Sequence, residues 1–361
     1  MRVLCILTTI LGHKTACERL TGALDRLKDV DPIYVFVTRD DYLRYRAPRW
    51  ARLSDPWEAQ FVARRKAEPF LKQPFDALLV NCWELAVAFR DVAARVPSAV
   101  VMDAVPATIR AQLRQQGISG FKRSLADWAH HRAFSRAAKH LAVFFPKSSV
   151  CSASLQQDYG VAADRCFVTL APQHLDVWKP CPQRPSAPPV RLLFVGNDFA
   201  RKGGELLLRL YSERLSDKCT LTIASNDPAL TARALPAGVE LLRDHTRDQL
   251  LPVFQRSHLF VFPTQQDYTP EVVAEALAAG VPCVTGEVDG TRDLIRDGEN
   301  GFVMPRAAGF AQWAERLSGL VADPEQLRHM SQVARRFAEE KLDFEKFETM
   351  LGSALDRLRP R

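Results

Sequence analysis

The chain has 361 residues, 47% of them hydrophobic and 25% charged, an ordinary composition for a globular protein that is longer than one core usually allows. We therefore expect two domains, and no apolar run reaches the ~18 residues that a membrane-spanning helix needs. The formal net charge of +7 would suit nucleic acid, but no helix-turn-helix, RNP-like or zinc-finger pattern accompanies it, so we expect no nucleic acid partner.

The first half of the chain alternates apolar runs with segments of helical period, which is typical of parallel α/β domains. Its first run, 3–11, has the length of a signal-peptide core, but no small-residue cleavage site follows, so we predict a buried strand. The strands are expected at 2–10, 33–38, 76–81, 98–102, 148–151 and 166–170. The helices between them include 16–27, 83–94 and 124–142.

A proline-rich stretch separates the two halves. Residues 179–189 read KPCPQRPSAPP, and their five prolines cannot continue a helix or a central strand. We interpret them as a linker of polyproline character between a first domain, 1–178, and a second domain, 190–340. Strands of the second domain are expected near 190–195, 219–224, 238–242, 258–262, 281–285 and 302–304, and the closing helices at 324–341 and 344–358.

The eight cysteines are scattered without a Cys-x-x-Cys pair, and several fall inside apolar strands. We interpret them as reduced core residues of a cytoplasmic protein rather than as a disulfide framework or a metal site. Asp29 and Asp31 spell an Asp-x-Asp metal pattern, but they precede the second strand at a helix end, which favours a turn. No other acidic or histidine cluster has ligand spacing, so we expect neither a metal nor another cofactor.

The stretch 260–305 is the most informative part of the sequence. An apolar strand breaks at Pro263, a polar loop follows, and a helix begins near Pro270. A Gly-Val-Pro break, a second strand and another glycine-bearing loop complete the stretch. Two carboxylates, Asp267 and Glu275, lie eight positions apart across the loop and the helix. This spacing allows separate groups to hold the ribose of a nucleotide and the hydroxyls of a sugar.

Three blocks of sequence resemble the donor-binding half of nucleotide-sugar glycosyltransferases with the GT-B fold, the large retaining family called glycosyl transferases group 1. They are Leu192–Gly196 followed by Arg201–Gly204, then Asp267 with Glu275–Pro282, and then Gly290–Gly301. Three blocks in the order of the family are far more specific than a lone glycine motif. The first half of the chain matches the family only loosely.

The resemblance implies an architecture and a reaction. The expected fold is α/β of the GT-B type, with two Rossmann-like parallel-sheet domains facing each other across a cleft and residues 341–361 packing back toward the first domain. The expected activity is the retaining, metal-independent transfer of a hexose-type sugar from a nucleotide-diphosphate sugar to an acceptor hydroxyl. The acceptor would be a glycan or a lipid-linked glycan of the cell-surface polysaccharide type, and a front-face reaction assisted by the leaving diphosphate fits the family.

A departing diphosphate gathers negative charge, so the enzyme must offer fixed cations and N–H groups there. Arg201 and Lys202, before the glycine-opened helix, supply the cations, and the resemblance assigns both to catalysis and to donor binding. Gly196 ends the strand of the same block. Asn197 departs from the family, which often has arginine there, and Arg201 can take over that duty. The alternative is a solvated basic loop.

Glu275 stands among Val, Ala and Leu residues, where a carboxylate is costly to bury without a partner. We expect it to hold the ribose diol, the alternative being an exposed helix face. Asp267 stands where the family usually has glutamate, and we assign it to catalysis and sugar contact, or else to a turn. The helix start is expected to face the donor with its backbone. It comprises Tyr268, Thr269, Pro270 and Glu271.

Three further positions are assigned from the resemblance. His245 follows strand 238–242, where the family reads the base, and its alternative is a surface turn. Gly12, in the loop after the first strand, is expected to contact the donor. Asp103 ends the fourth strand and is expected to serve in catalysis, with an N-cap for the helix after Pro106 as the alternative. Whether Asp103 or His13 acts there stays open.

The first half of the chain is the basic one. Residues 1–180 carry 26 Lys and Arg against 17 Asp and Glu, whereas the remainder carries 23 against 25. The excess either meets an anionic partner or keeps the protein soluble. Residues 42–72 combine aromatic side chains with Arg64, Arg65 and Lys66, which predicts contact with an anionic membrane or, alternatively, a solvated face. The expected partners are thus a nucleotide-sugar donor and an anionic or lipid-linked glycan acceptor, at the inner face of a membrane.

Two rival functions remain from the sequence. A GT-B nucleotide-sugar epimerase would turn over its substrate without an acceptor, and a non-catalytic nucleotide-binding subunit would tolerate the departures at Asn197 and Asp267. A dinucleotide-dependent dehydrogenase would need Gly-x-Gly-x-x-Gly after a strand, which the residues from Gly196 onward do not supply.

Overall fold

The computed structural model describes residues 1–10, 13–49, 51–118, 120–181, 189–230 and 233–359. The chain forms two compact units, Met1–Thr169 together with Glu345–Arg361, and Leu170–Phe344. Residues 182–188 of the expected linker 179–189 lie outside the described residues, and so does Gly12. Within the described ranges, no helix combines the length and the apolarity that crossing a membrane requires.

The first unit is built on a parallel sheet formed by β1 (Arg2–Thr8), β2 (Asp31–Val37), β3 (Ala77–Asn81), β4 (Ser98–Met102) and β5 (Val143–Pro146). Their order is β2-β1-β3-β4-β5, and Cys5 of β1 lies opposite Tyr34 of β2 and Leu79 of β3. The interior of β1 is buried throughout, as expected of a parallel sheet whose crossover helices cover its faces.

Eight helices follow or separate these strands in the described part of the first unit: α1 (His13–Leu24), α2 (Arg39–Arg44), α3 (Asp55–Ala67), α4 (Trp83–Ala88), α5 (Arg90–Ala93), α6 (Pro106–Gln115), α7 (Phe121–Ala138) and α8 (Ser149–Tyr159). Two strand predictions are wrong here. The region 148–151 begins α8, because the Ser148 side chain caps the helix by accepting from the Cys151 N–H at 3.1 Å. The region 166–170 forms no strand, only an isolated bridge between Cys166 and Phe144.

The second unit contains β6 (Val190–Val195), β7 (Cys219–Ala224), β8 (Val239–Leu242), β9 (Leu259–Phe262), β10 (Cys283–Gly286) and β11 (Gly301–Met304). These strands form one parallel sheet in the order β11-β10-β9-β6-β7-β8. All six fall within two residues of the predicted ranges. Phe194, Phe254, Phe260 and Phe262 are fully buried in contact with one another around β6 and β9, and they form the aromatic centre of the core.

The helices of the second unit are α9 (Gly204–Leu210), α10 (Arg247–Arg256), α11 (Glu271–Ala278), α12 (Thr291–Leu294), α13 (Phe310–Val321) and α14 (Pro324–Lys341). α9 continues as one turn of π-helix over Tyr211–Leu215. The last helix, α15 (Phe344–Leu355), belongs from Glu345 onward to the first unit.

Candidate functional site

The strand order of the second unit reverses beside β6. From β6 the chain adds β7 and β8 on one side and then returns to add β9, β10 and β11 on the other. At such a switch point the loops that leave the carboxyl ends of the strands diverge, and the crevice between them is where open parallel sheets bind ligands. The two loops here are 196–203, after β6, and 263–270, after β9.

Lys202 and Asp267, one from each loop, form an ion pair. Their side chains are 17% and 16% exposed, so solvent screens the pair only weakly. The Lys202 ammonium also lies 5.2 Å from the centroid of the Phe262 ring. A Cβ at Gly196 would approach the Lys202 side chain to 3.3 Å, so the glycine that follows β6 gives the lysine room. The structure therefore joins two residues that the sequence analysis assigned to separate parts of a donor.

Arg201 links the same two loops. Its Nε donates to Asp198 Oδ2 at 2.7 Å, and its Nη1 donates to the carbonyl of Gln266 at 2.8 Å. The guanidinium holds the pKa of the Asp198 carboxyl below its ordinary value. Arg201 is 39% exposed, so this cation lies nearer the solvent than Lys202 does.

The two glycines that open α9 are required by packing. Gly203 has φ +82°, and a Cβ there would lie 2.1 Å from the carbonyl oxygen of Pro263. A Cβ on Gly204 would lie 2.2 Å from the ring of Phe199. Only glycine lets the start of α9 approach the end of β9 this closely, and that approach carries Lys202 to Asp267.

The start of α11 adds polar groups beside the ion pair. α11 begins at Glu271 with Pro270 as its N-cap residue, and Asp267 Oδ1 accepts from the Tyr268 N–H at 2.9 Å. Thr269 is buried, and its hydroxyl finds no hydrogen-bond partner among the described residues. Buried hydroxyls are normally bonded, so Thr269 is a position at which a ligand can supply the missing bond.

Glu275 has a cationic partner that the sequence analysis missed. It is buried in α11, and its Oε1 lies 3.0 Å from Nη2 of Arg247, the first residue of α10. The same Nη2 donates to Gln173 Oε1 at 3.1 Å, and the guanidinium lies 5.4 Å from the centroid of the Trp178 ring. Glu275 is buried, so the alternative of an exposed helix face is wrong, and Arg247 compensates its charge. The apolar neighbours of Glu275 indicated that its carboxylate would need a partner, but nothing in the sequence indicated Arg247.

The loops after β6, β7 and β8 are tied together by asparagine side chains. Asn197 Oδ1 accepts from the Asn226 N–H at 3.0 Å, and Asn226 Oδ1 accepts from the Asp244 N–H at 2.8 Å. Asp244 has φ +49°, a conformation that aspartate tolerates better than most residues. This chain of bonds positions His245, whose Nδ1 is buried without a hydrogen-bond partner in the described part of the chain.

Asp289, in the loop after β10, is a further titratable group. Burial raises the pKa of its carboxyl to about 6, and the charge of Arg306 opposes part of that rise. Gly290 follows with φ +77°, a conformation that favours glycine.

The first unit gathers titratable side chains where its own strand order reverses, between β1 and β3. His13 and Glu84 line a cavity of about 540 Å³. Burial raises the pKa of Glu84, His13 opposes the rise and Asp103 adds to it. Asp103 itself is half-buried after β4 and does not cap α6, whose N-cap residue is Val105, so the N-cap alternative is wrong.

Three basic residues of segment 42–72 make contacts within the first unit. Arg64 pairs with Asp91 and lies 4.9 Å from the centroid of the Phe89 ring. Lys66 pairs with Asp41 at 2.6 Å. Arg65 lies 3.8 Å from Glu68 and packs over Phe61. These contacts give the three cations structural roles, and membrane contact through this segment stays a prediction.

Residues 189–323 match the family model described as "Glycosyl transferases group 1". "Spore coat protein SA" of Bacillus subtilis (strain 168) is 29% identical over 108 residues, which are 30% of this chain and 29% of that protein. "Alpha-D-kanosaminyltransferase" of Streptomyces kanamyceticus is 29% identical over 154 residues, 40% of this chain and 39% of that protein. The matched region thus spans less than half the length of either relative.

Solved structures resemble the whole chain. A sucrose-phosphate synthase from Thermosynechococcus elongatus has a TM-score of 0.77 at 14% identity, covering 99% of this chain and 98% of that one. Anabaena HepE in complex with UDP has a TM-score of 0.71 at 15% identity, covering 99% of this chain and 100% of that one. WaaG, a glycosyltransferase involved in lipopolysaccharide biosynthesis, has a TM-score of 0.71 at 16% identity, covering 98% and 99%. These likenesses confirm the predicted GT-B fold of two parallel-sheet α/β domains, and the family match confirms the predicted resemblance.

Proposed function

We propose that this protein transfers a sugar from a nucleoside diphosphate sugar to an acceptor hydroxyl. The chain has the GT-B fold, and its residues 189–323 match the group 1 glycosyl transferases. The observation that carries the proposal is the Lys202–Asp267 ion pair at the switch point of the second sheet. It places a fixed, largely buried cation and a carboxylate together where such sheets bind ligands.

Lys202 and Arg201 stabilise the departing diphosphate. As the glycosidic bond stretches, negative charge grows on the phosphate oxygens, and fixed cations lower the energy of that state without reorganising. The Lys202 ammonium has three N–H donors, so it can bond the diphosphate while keeping its bond to Asp267. Asp267 both orients Lys202 and offers a carboxylate oxygen to sugar hydroxyls.

The nucleoside lies toward α10 and α11. Glu275 accepts from the ribose hydroxyls, because a carboxylate has lone pairs beyond those that Arg247 uses. The loop of His245, fixed by Asn226, reads the base, and the backbone from Tyr268 to Glu271 faces the sugar or phosphate. HepE is described in complexes with UDP and with UDP-glucose, so uridine donors are the first to test.

The acceptor side is assigned to the first domain. Asp103, His13 and Glu84 supply its titratable groups, whereas Gly12, which precedes them in the chain, stays assigned to donor contact. A glycan or lipid-linked glycan is the proposed acceptor class; one partial relative is a capsular polysaccharide biosynthesis glycosyltransferase of Staphylococcus aureus. Retention of configuration, by a front-face reaction with the leaving diphosphate as base, and independence of metal complete the proposal.

A thermal-shift screen tests the donor site directly. UDP, GDP, ADP and dTDP sugars are each added at high concentration, since a ligand at ~100 times its Kd adds ~2.7 kcal/mol to the free energy of unfolding. One nucleotide class should raise the Tm of the wild type and of Lys218→Ala, an exposed lysine of the same domain. The shift should shrink in Glu275→Gln. Failure of all four classes to shift the Tm would contradict the proposal.

A further inference from the structure

A stripe of exposed apolar and basic side chains runs along α7. The helix buries Phe134, Ala137 and Ala138 on its inner side, whereas Leu125 and Trp128 are 59% and 56% exposed. Arg132 and Arg136 follow them at positions that, at 3.6 residues per turn, fall on the same outer face. The outer face of a surface helix is normally polar, so two large apolar side chains there call for a reason.

A third large apolar side chain precedes this helix in the chain. Ile118, in the turn between α6 and α7, is 46% exposed. One exposed apolar residue is ordinary, but a group of them marks an interaction surface. Ile118, Leu125, Trp128, Arg132 and Arg136 together are called the α7 surface below.

The region of the α7 surface carries most of the net charge of the protein. Residues 106–140 hold seven Lys and Arg and one acidic residue, Asp127, so their net charge is +6 of a total of +7. Asp127 lies 3.7 Å from Arg123. Arg132 lies 5.6 Å from the centroid of the Trp128 ring, and no described carboxylate pairs with Arg132 or Arg136. The positive charge of the α7 surface is therefore not neutralised within the described part of the chain.

We propose that the α7 surface docks the protein on an anionic lipid membrane. Tryptophan favours the membrane–water interface, and apolar side chains flanked by cations are the pattern of helices that lie in it. An acidic protein or a nucleic acid would complement the positive charge. Neither would account for the exposed apolar side chains of Leu125, Trp128 and Ile118. The surface lies outside segment 42–72, whose Arg64, Arg65 and Lys66 are occupied by contacts within the fold.

Co-sedimentation of the full chain with vesicles tests this. The vesicles are phosphatidylcholine alone or phosphatidylcholine mixed with phosphatidylglycerol. One variant removes apolar area (Leu125→Ser with Trp128→Ser) and one removes charge (Arg132→Gln with Arg136→Gln). The matched control, Leu43→Ser with Arg46→Gln, makes the same kinds of change in segment 42–72, where Leu43 is 75% exposed. Nucleotide binding in every variant checks that the protein is folded.

The wild type should bind the anionic vesicles and not the neutral ones. Each arginine removed should weaken binding about fivefold, and binding should fall steeply at 1 M salt, where the Debye length is ~3 Å. The apolar variant should lose about tenfold or more, and the control should match the wild type. Trp128 fluorescence should shift to shorter wavelength on binding, and Trp128→Phe should abolish that shift.

Three results would overturn the proposal. The wild type could fail to sediment with anionic vesicles at low salt, or the control could lose as much binding as the α7 variants. The third is a loss confined to the arginine variant, because binding by charge alone would contradict the contact of Leu125 and Trp128 with the membrane.

Discussion

At the scale of single residues, both carboxylates assigned to the donor form ion pairs within the protein. Asp267 forms an ion pair with Lys202, and Glu275 forms one with Arg247. The first pair fixes a cation where the leaving group would develop charge, and the second compensates a buried charge. The sequence pointed to Lys202, Asp267 and Glu275 because they fall in blocks typical of the family. Arg247 falls in no block, and only the fold brings α10 beside α11, so its role could not be predicted.

Replacing Arg247 by glutamine should destabilise the protein by up to about 3 kcal/mol, because Glu275 is left buried without its cation. The double variant Arg247→Gln with Glu275→Gln should recover part of that loss. The control is Arg256→Gln in the same helix, whose partner Glu240 is exposed, and it should cost less than about 1 kcal/mol. Urea unfolding measures all three, and equal midpoints for Arg247→Gln and wild type would refute the assigned role.

Glu275→Gln should weaken nucleoside diphosphate binding, because a neutral amide accepts less strongly from the ribose hydroxyls than a carboxylate does. Isothermal titration calorimetry with the nucleotide found in the thermal-shift screen measures the effect, and we expect a loss of about tenfold. Glu315→Gln, an exposed residue of α13, is the control. Unchanged affinity in Glu275→Gln would remove ribose recognition from this residue.

Asp289 should make stability depend on pH. Burial raises its pKa from an ordinary value of 3.8 to about 6, so the folded protein binds this proton more tightly than the unfolded chain does. As the pH rises from about 4 to about 6, the contribution of Asp289 to the free energy of unfolding therefore falls, and above about pH 6 it stays constant. Asp289→Asn lacks this loss, so its Tm relative to wild type should rise from pH 4 to pH 7. A Tm difference that does not change with pH would contradict the assignment.

At the scale of elements, the alternation of apolar runs with segments of helical period was enough to predict the parallel strands of the second sheet. The errors lie where a local polar group decided the outcome. Ser148 caps α8, so the apolar residues after it continue as a helix, and the fifth strand is the preceding run Val143–Pro146. The contact between the loops after β6 and β9 also lay beyond prediction, because it depends on strand order and on the close approach at Gly203.

Gly203→Ala should be strongly destabilising, by about 3 kcal/mol or more, because the position needs φ +82° and a Cβ would collide with the Pro263 carbonyl. Gly319→Ala is the matched control: Gly319 lies inside α13 with nothing within 4 Å of an added Cβ. There alanine should stabilise the helix by about 0.5–1 kcal/mol. Differential scanning calorimetry compares the two, and equal effects would show that loop packing does not need the glycine.

At the scale of the whole molecule, the two domains differ in what their sequences reveal. The second domain carries the family blocks, and its matched region, 189–323, includes the ion pair and Glu275. The alternation of apolar runs and helical segments reveals the fold of the first domain. Its titratable group Glu84 follows a short strand and belongs to no sequence motif. Net charge predicted a basic partner surface at 42–72, and a charge count could not show that Arg64, Arg65 and Lys66 of that segment form ion pairs within the fold; membrane contact there stays a prediction.

The release of nucleoside diphosphate from a sugar donor, with and without acceptor glycans, tests the central claim most directly. The wild type should release it from one class of donor, and Lys202→Ala should lower kcat by about 10²–10³, since the cation acts as the diphosphate departs. Lys218→Ala, an exposed lysine of the same domain, should keep the wild-type rate. Equal rates in Lys202→Ala and wild type, or no release from any UDP, GDP, ADP or dTDP sugar with any acceptor, would contradict a donor site at the Lys202–Asp267 pair.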